Sequence, residues 1–183
     1  MDFYIDLQLK PDAGMPVNRL LNAMYSKFHK ALCDLKSENI GVSFPAYKVL
    51  LGNKLRIHGS SANLATLQQL NWIGDLVSQC DVSQVLLVPK DHLHRSVGRK
   101  QTTMSQSKLC RLLKRGSITE QEVNQYKAKM FTKGLDNPYL ELISGSSGHK
   151  HRRYIEFGKL QGQPVIGNFD QFGLSKTATI PWF

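Results

Sequence analysis

Periodicity in the first 89 residues is the tightest constraint on what this chain can fold into. Residues 3–9, FYIDLQL, alternate apolar and polar side chains as a half-buried strand does. Residues 11–16 carry two prolines that break it. Over 17–35, Leu20, Leu21, Met24, Phe28, Ala31, Leu32 and Leu35 fall on one arc at 100° per residue, which predicts a long amphipathic helix. Gly41-Val-Ser-Phe-Pro reads as a short strand closed by proline, and residues 54–58, KLRIH, as another. Ser61 is a candidate cap for a helix over 63–70, with Trp72 to Val77 extending it. Residues 82–88 read as one strand ended by Pro89.

The order is β-α-β-β-α-β. It predicts a ferredoxin-like α+β domain over residues 1–89, a sheet with two helices on one face. That fold hosts many functions and decides none of them. The RNA recognition motif is one, but residues 54–61, KLRIHGSS, lack the aromatic pattern that base stacking needs.

Charge separates the rest. The chain of 183 residues carries a net charge of +10, yet residues 1–89 hold eight Lys/Arg against seven Asp/Glu, while residues 90–183 hold sixteen against seven. So uneven a distribution points to a polyanionic partner, nucleic acid ahead of membrane. No apolar run is long enough for a membrane span, and the first residues have no basic n-region or apolar h-region, so the expected location is the cytoplasm. Cys33, Cys80 and Cys110 are odd in number and widely spaced, which argues against a disulfide framework or a cysteine zinc site.

Residues 90–107 show no sustained period and read as a linker or binding loop, in which Arg99 and Gln101 suit guanine and adenine edges. Residues 108–115, KLCRLLKR, place Leu109, Leu112 and Leu113 on one arc and Lys108, Arg111, Lys114 and Arg115 on the other, with Ser105 or Ser107 to cap the helix and Gly116 to end it. Such a face can track phosphates. Thr119 to Glu122 is a capping box opening a helix through about Phe131. Residues 139–144 and 150–157 read as a hairpin with a polar tip and Lys150, His151, Arg152 and Arg153 at the start of its second strand. The predicted C-terminal half, residues 90–183, is therefore a basic α/β domain suited to nucleic acid.

His29 lies on the border of the first helix's apolar arc, about 120° from its centre. A border histidine is commonly structural, but it can also face a cleft and move protons near neutral pH. The pairs His92/His94 and His149/His151 invite a metal, yet no full ligand set is visible, so no metal site and no cofactor is expected.

Taken together, several segments resemble one family: MDFYIDLQL, SKFHKAL around His29, GVSFP, LRIH, the basic helix, the Ser-x-Ser-x-Gly turn at 144–148 and the terminus GLSKTATIPWF. The chain is similar to the CRISPR-associated endoribonuclease of the type I-F (Ypest) subtype, in the RAMP superfamily. The resemblance implies that residues 90–183 are a basic domain that binds an RNA hairpin. It implies cutting of precursor CRISPR RNA at the 3′ base of the repeat hairpin without metal, retention of the hairpin product, and a place among the other subunits of the crRNA-guided surveillance complex. It implies that His29 is the catalytic histidine and that Ser144, with Ser146 beside it, positions the 2′-hydroxyl. Arg99 and Gln101 match the base-reading pair, and His151 matches the aromatic beneath the terminal base pair. Phe172 stands where the family commonly has tyrosine, and Leu112 and Gly116 where it can have arginine. A non-catalytic RNA-hairpin-binding subunit is the alternative that basic composition and fold fit equally well.

Overall fold

The structure is a computed structural model of the whole chain and describes residues 1–101, 104, 106–132, 135–143 and 148–183. It is a mixed α+β protein with antiparallel sheets. Two compact units form, residues 1–99 with 138–183, and residues 100–137. Among the described residues no helix is long and apolar enough to cross a membrane.

In the larger unit, β1 (Phe3–Leu9) is the centre of the main sheet. It pairs antiparallel with β3 (Lys54–Gly59), Ile5 opposite Ile57 and Leu7 opposite Leu55. Strand β2 (Gly41–Ser43) lies outside β3, and β4 (Cys80–Val82) lies on the other side of β1, giving the order β2-β3-β1-β4. Alternation sends Ile5, Leu7 and Leu9 inward. Helix α1 (Val17–Leu35) buries Leu20, Leu21, Met24, Tyr25, Phe28, Ala31 and Leu32, which is the arc predicted from the sequence with Tyr25 added. The α1 C-terminus closes through Lys36 in the left-handed region, its N–H bonded to the Cys33 carbonyl and that of Ser37 to Leu32. This is the pairing a glycine usually makes.

Several sequence expectations need correction here. Helix α2 (Ser61–Gln69) is capped by Ser60, whose hydroxyl accepts the Asn63 N–H at 3.2 Å, and not by Ser61. Residues after it do not extend the helix: Asn71 and Gly74 take positive φ, and a short 3₁₀ helix covers Gly74–Gln79. The predicted strand at 82–88 is split into β4 and β5 (Leu86–Leu87), both paired to β1. Ser83 causes the break. Its hydroxyl takes the Asp6 N–H and its own N–H goes to the Asp6 carbonyl, so the ladder is locally satisfied by a side chain.

The span read as a linker over 90–107 contains two short strands, β6 (Leu93–Arg95) and β7 (Val97–Lys100). Strands of three and four residues give too little alternation to register as a period. Strand β6 pairs with β10 (Ile180–Trp182), and β7 pairs with β9 (Lys150–Phe157). The predicted hairpin is present: β8 (Tyr139–Ile143) pairs antiparallel with β9, Leu142 opposite His151.

The smaller unit holds α3 (Gln106–Lys114) and α4 (Glu120–Thr132). Gly116, at φ +61°, ends α3, with Gly116 N–H to the Leu113 carbonyl and Ser117 N–H to Leu112. The capping box forms: Glu122 Oε2 accepts the Thr119 N–H at 2.8 Å and Thr119 Oγ1 accepts the Glu122 N–H at 3.3 Å. The apolar arc of α3 is only partly covered. Leu109 is buried while Leu113 is about half exposed. A segment of this length has too little chain to enclose a full face.

Candidate active site

Tyr25, His29 and Cys33 succeed one another at i, i+4, i+8 on α1 and so share one helix face. That face meets the segment 169–175 near the C-terminus. Tyr25 Oη donates to the Phe172 carbonyl at 2.7 Å, and His29 Nδ1 lies 2.7 Å from the Gln171 carbonyl. A carbonyl only accepts, so Nδ1 carries the proton and Nε2 of the neutral ring keeps its lone pair. Cys33 Sγ sits 3.6 Å from Nδ1 and reaches Gln171 Oε1 at 3.4 Å. Burial pushes the Cys33 thiol's pKa up, and Asp34 adds to it, which keeps it protonated.

The segment is shaped by Asp170 and Gly173. Asp170 Oδ1 accepts the N–H groups of Phe172 and Leu174, both at 2.9 Å. Gly173 takes φ +70°, and a Cβ there would stand 3.1 Å from the Phe28 ring. Both the backbone conformation and the close approach call for glycine. The turn presents Phe172 flat against His29, ring centroids 3.5 Å apart and planes at 12°.

Arg153 comes to the same ring from β9, its guanidinium carbon 3.4 Å from the Phe172 centroid. Two groups so close to one centroid must occupy opposite faces, so Phe172 is sandwiched between the imidazole and a cation. The sequence reading missed Arg153, Tyr25 and Cys33. The signals were present: Arg153 shares strand parity with Ile155, and Tyr25 and Cys33 are one turn either side of His29. The Gln171 carbonyl carries no side-chain signature at all.

Beside the sandwich lies a cleft of about 620 Å³, whose lining includes Cys33, Lys36, Arg99, Arg153, Gln171 and Phe172. Arg99, partly buried at the end of β7, thus faces the same cleft as Phe172. Gln101 is exposed and belongs to the smaller unit. Lys108, Arg111, Lys114 and Arg115 are all exposed on or just beyond α3. His151 is half-buried on β9, and Arg152 is exposed over the Tyr139 ring, with Nε 3.4 Å from Glu141. Ser144 and Ser146 lie outside the described residues.

The histidine pair His92 and His94 meets at 3.2 Å between Nε2 atoms, with His92 Nδ1 donating to the Pro89 carbonyl. Among the described residues no group of three or more His, Cys, Asp or Glu gathers as a metal site would.

Residues 4–183 match the model of a family described as CRISPR-associated protein (Cas_Csy4). A protein of Escherichia coli (strain UTI89 / UPEC) named CRISPR-associated endonuclease Cas6/Csy4 is 36% identical over 184 residues, covering 100% of both chains. A protein of the same name from Pseudomonas aeruginosa (strain UCBPP-PA14) is 34% identical over 187 residues, again covering 100% of both.

Proposed function

The chain belongs to the Cas_Csy4 family of CRISPR-associated proteins, and from that premise we propose that it is the endoribonuclease that cuts precursor CRISPR RNA at the 3′ base of each repeat hairpin. The nucleophile is the substrate's own 2′-hydroxyl. The bond from O2′ to phosphorus forms, the bond from phosphorus to O5′ breaks, the 2′ proton leaves and O5′ gains one. The products are a 2′,3′-cyclic phosphate and a 5′-hydroxyl. An internal nucleophile needs no metal-activated water, which fits the metal-independent cutting that the resemblance implies.

One observation carries the reading. His29 is pinned through Nδ1 to the Gln171 carbonyl and through its face to Phe172, so Nε2, with the Cys33 thiol 3.9 Å away, is the proton-transferring atom. Pure binding gives no reason for an imidazole held in one tautomer beside a cleft lined by charged side chains. Ser144 orients the 2′-hydroxyl, with Ser146 beside it, as the resemblance implies.

The division of labour follows charge. Residues 1–89 form a ferredoxin-like domain that carries His29, a reading supported by the strand order β2-β3-β1-β4. Residues 90–183 bind the hairpin: α3 tracks phosphates through Lys108, Arg111, Lys114 and Arg115, Arg99 and Gln101 read base edges, His151 stacks beneath the terminal base pair, and Arg152 adds charge. The hairpin product stays bound, and with it the protein joins the other subunits of the type I-F surveillance complex in the cytoplasm.

The test is repeat RNA incubated with the protein in EDTA. Two discrete fragments, the upstream one ending in a cyclic phosphate, are expected. His29→Ala and a single 2′-deoxy nucleotide 5′ of the scissile phosphate should each abolish cutting, with hairpin affinity within a few-fold of wild type. Activity lost in EDTA and restored by Mg²⁺ would overturn metal independence. Tight binding without cutting would make the protein a non-catalytic hairpin-binding subunit.

A further inference from the structure

Arg153 is a nearly buried cation. Only 5% of the residue is exposed, and among the described residues its buried Nε has no hydrogen-bond partner. Among the described residues no carboxylate forms an ion pair with it. Two acids, Glu38 and Asp170, line the same cleft, and each is held by another partner through one oxygen. Asp170 Oδ1 accepts two backbone N–H groups of its own turn, and Glu38 Oε2 accepts from Asn168 Nδ2 at 2.8 Å. Burial pulls the guanidinium's pKa down and the Arg99 charge adds to that, against the pull of Tyr25 and Asp170.

Holding an unpaired cation out of water is costly. Its stacking on Phe172 offsets part of that cost. A natural chain keeps such a group at that cost when a ligand completes the site. Arg153, Arg99 and Lys36 line one cleft with the carboxylates of Glu38 and Asp170, three cations against two acids, and the ring under Arg153 is the ring that holds His29.

We propose that this cleft is an anion site shaped for a phosphate group, that Arg153 is its fixed cation, and that the phosphate it takes is a phosphodiester of the RNA strand cut at His29. The identity of the ligand rests on the nuclease reading given above, whereas the anion site itself does not. A guanidinium already desolvated and stacked needs no reorganisation when the phosphate arrives. Arg153 is assigned as a substrate-binding residue, distinct from the exposed cations of α3, which act from water.

Inorganic phosphate tests the site on the full-length free protein, with chloride at equal ionic strength as control. The readout is the His29 imidazole NMR signal, identified with the His29→Ala variant. Wild type should show a saturable shift with phosphate and none with chloride. Arg153→Met should bind phosphate at least tenfold more weakly, Arg153→Lys should retain part of the response, and the melting temperature of Arg153→Met should equal or exceed that of wild type. An equal phosphate response in wild type and Arg153→Met, or none in wild type, would overturn the proposal. So would an Arg153→Met protein that is destabilised yet still responds, since Arg153 would then be structural alone. Single-turnover cleavage of repeat RNA by the same proteins separates the two ligand sources. Phosphate binding that depends on Arg153, with a cleavage rate lowered at least tenfold in Arg153→Met, supports a phosphodiester ligand. Phosphate binding with an unchanged cleavage rate rejects the RNA strand as the ligand. A wild-type protein that binds phosphate but never cuts repeat RNA sinks the nuclease reading and leaves the anion site standing.

Discussion

The Phe172 ring lies parallel to the His29 imidazole at 3.5 Å between centroids, across 143 positions of chain. A phenylalanine has no hydroxyl to relay a proton, so its contribution here is placement. The stack and the Gln171 carbonyl together fix the ring in two directions, one through its face and one through Nδ1. Aromatic pairs of this kind are worth about 0.5–1.5 kcal/mol beyond area burial. Phe172→Leu should therefore slow single-turnover cleavage about tenfold, since about 1.4 kcal/mol corresponds to one decade in rate. Hairpin affinity should change little, and Phe172→Tyr should retain the wild-type rate within a few-fold. A Leu variant that cuts at full speed would show that the Gln171 contact alone orients the imidazole.

His58 predicts a pH effect on stability. It is fully buried on β3, with Nε2 2.8 Å from Ser43 Oγ and Nδ1 lacking a partner among the described residues. Burial, reinforced by Arg56 and opposed by Asp6, holds its pKa down at about 3, against an ordinary 6.5. The unfolded chain thus takes up a proton below pH 6.5 that the folded one refuses until about pH 3. Stability from this group is complete above pH 6.5 and falls as the pH is lowered through that window. By pH 5 the loss is about 2 kcal/mol. His94 is shifted in the same direction, by burial and then His92, so the whole-protein slope contains both rings. Urea unfolding at pH 7 and pH 5, for wild type and His58→Gln, isolates the His58 part. Identical pH slopes in the two proteins would show that His58 is not buried as the neutral ring.

The α3 cations should govern salt dependence. Lys108, Arg111, Lys114 and Arg115 are exposed, so replacing them leaves the Leu109 packing untouched. Each alanine that removes a phosphate contact should lower the log–log salt slope of hairpin binding by roughly 0.7–0.9. A fourfold variant with wild-type affinity and slope would reduce this face to a solvated one.

Much of the fold is legible in the chain because its signals are local. The arc from Leu20 to Leu32 gives α1, the Thr119–Glu122 box gives the start of α4, and Gly116 gives the end of α3. The errors fall where tertiary partners decide. Nothing in residues 93–100 alone marks two strands, because β6 is completed by β10 and β7 by β9, each many residues away. Ser83 splits a good apolar run because Asp6 supplies both halves of its hydrogen bonding. The candidate site divides in the same way. His29 is visible as a border residue, but its tautomer depends on a backbone carbonyl and its stacking partner on a turn that Asp170 and Gly173 impose. Arg153 reads as one of four basic residues at a strand start, and parity with Ile155 sets it apart from Lys150 and Arg152 but not from His151.

Arg99 and Gln101 separate sequence reading from shape reading. Arg99 lies in β7 and lines the cleft beside Phe172, and Gln101 is exposed two residues on. Neither belongs to the apolar core, so their residue types are open to selection by a ligand. A bidentate arginine–guanine or glutamine–adenine contact is worth about 1–3 kcal/mol of discrimination against the wrong base. Contacts to phosphates, by contrast, act regardless of sequence. The measurement is a binding competition at fixed salt between the cognate hairpin and one with the bases at the foot of the stem changed. Arg99→Ala and Gln101→Ala should each narrow the affinity gap between the two hairpins by about 1–3 kcal/mol. Their effect on the altered hairpin should be small, because the lost contact was already absent there. Equal weakening on both RNAs would mean that these side chains hold only the backbone, and the base-reading assignment would fall.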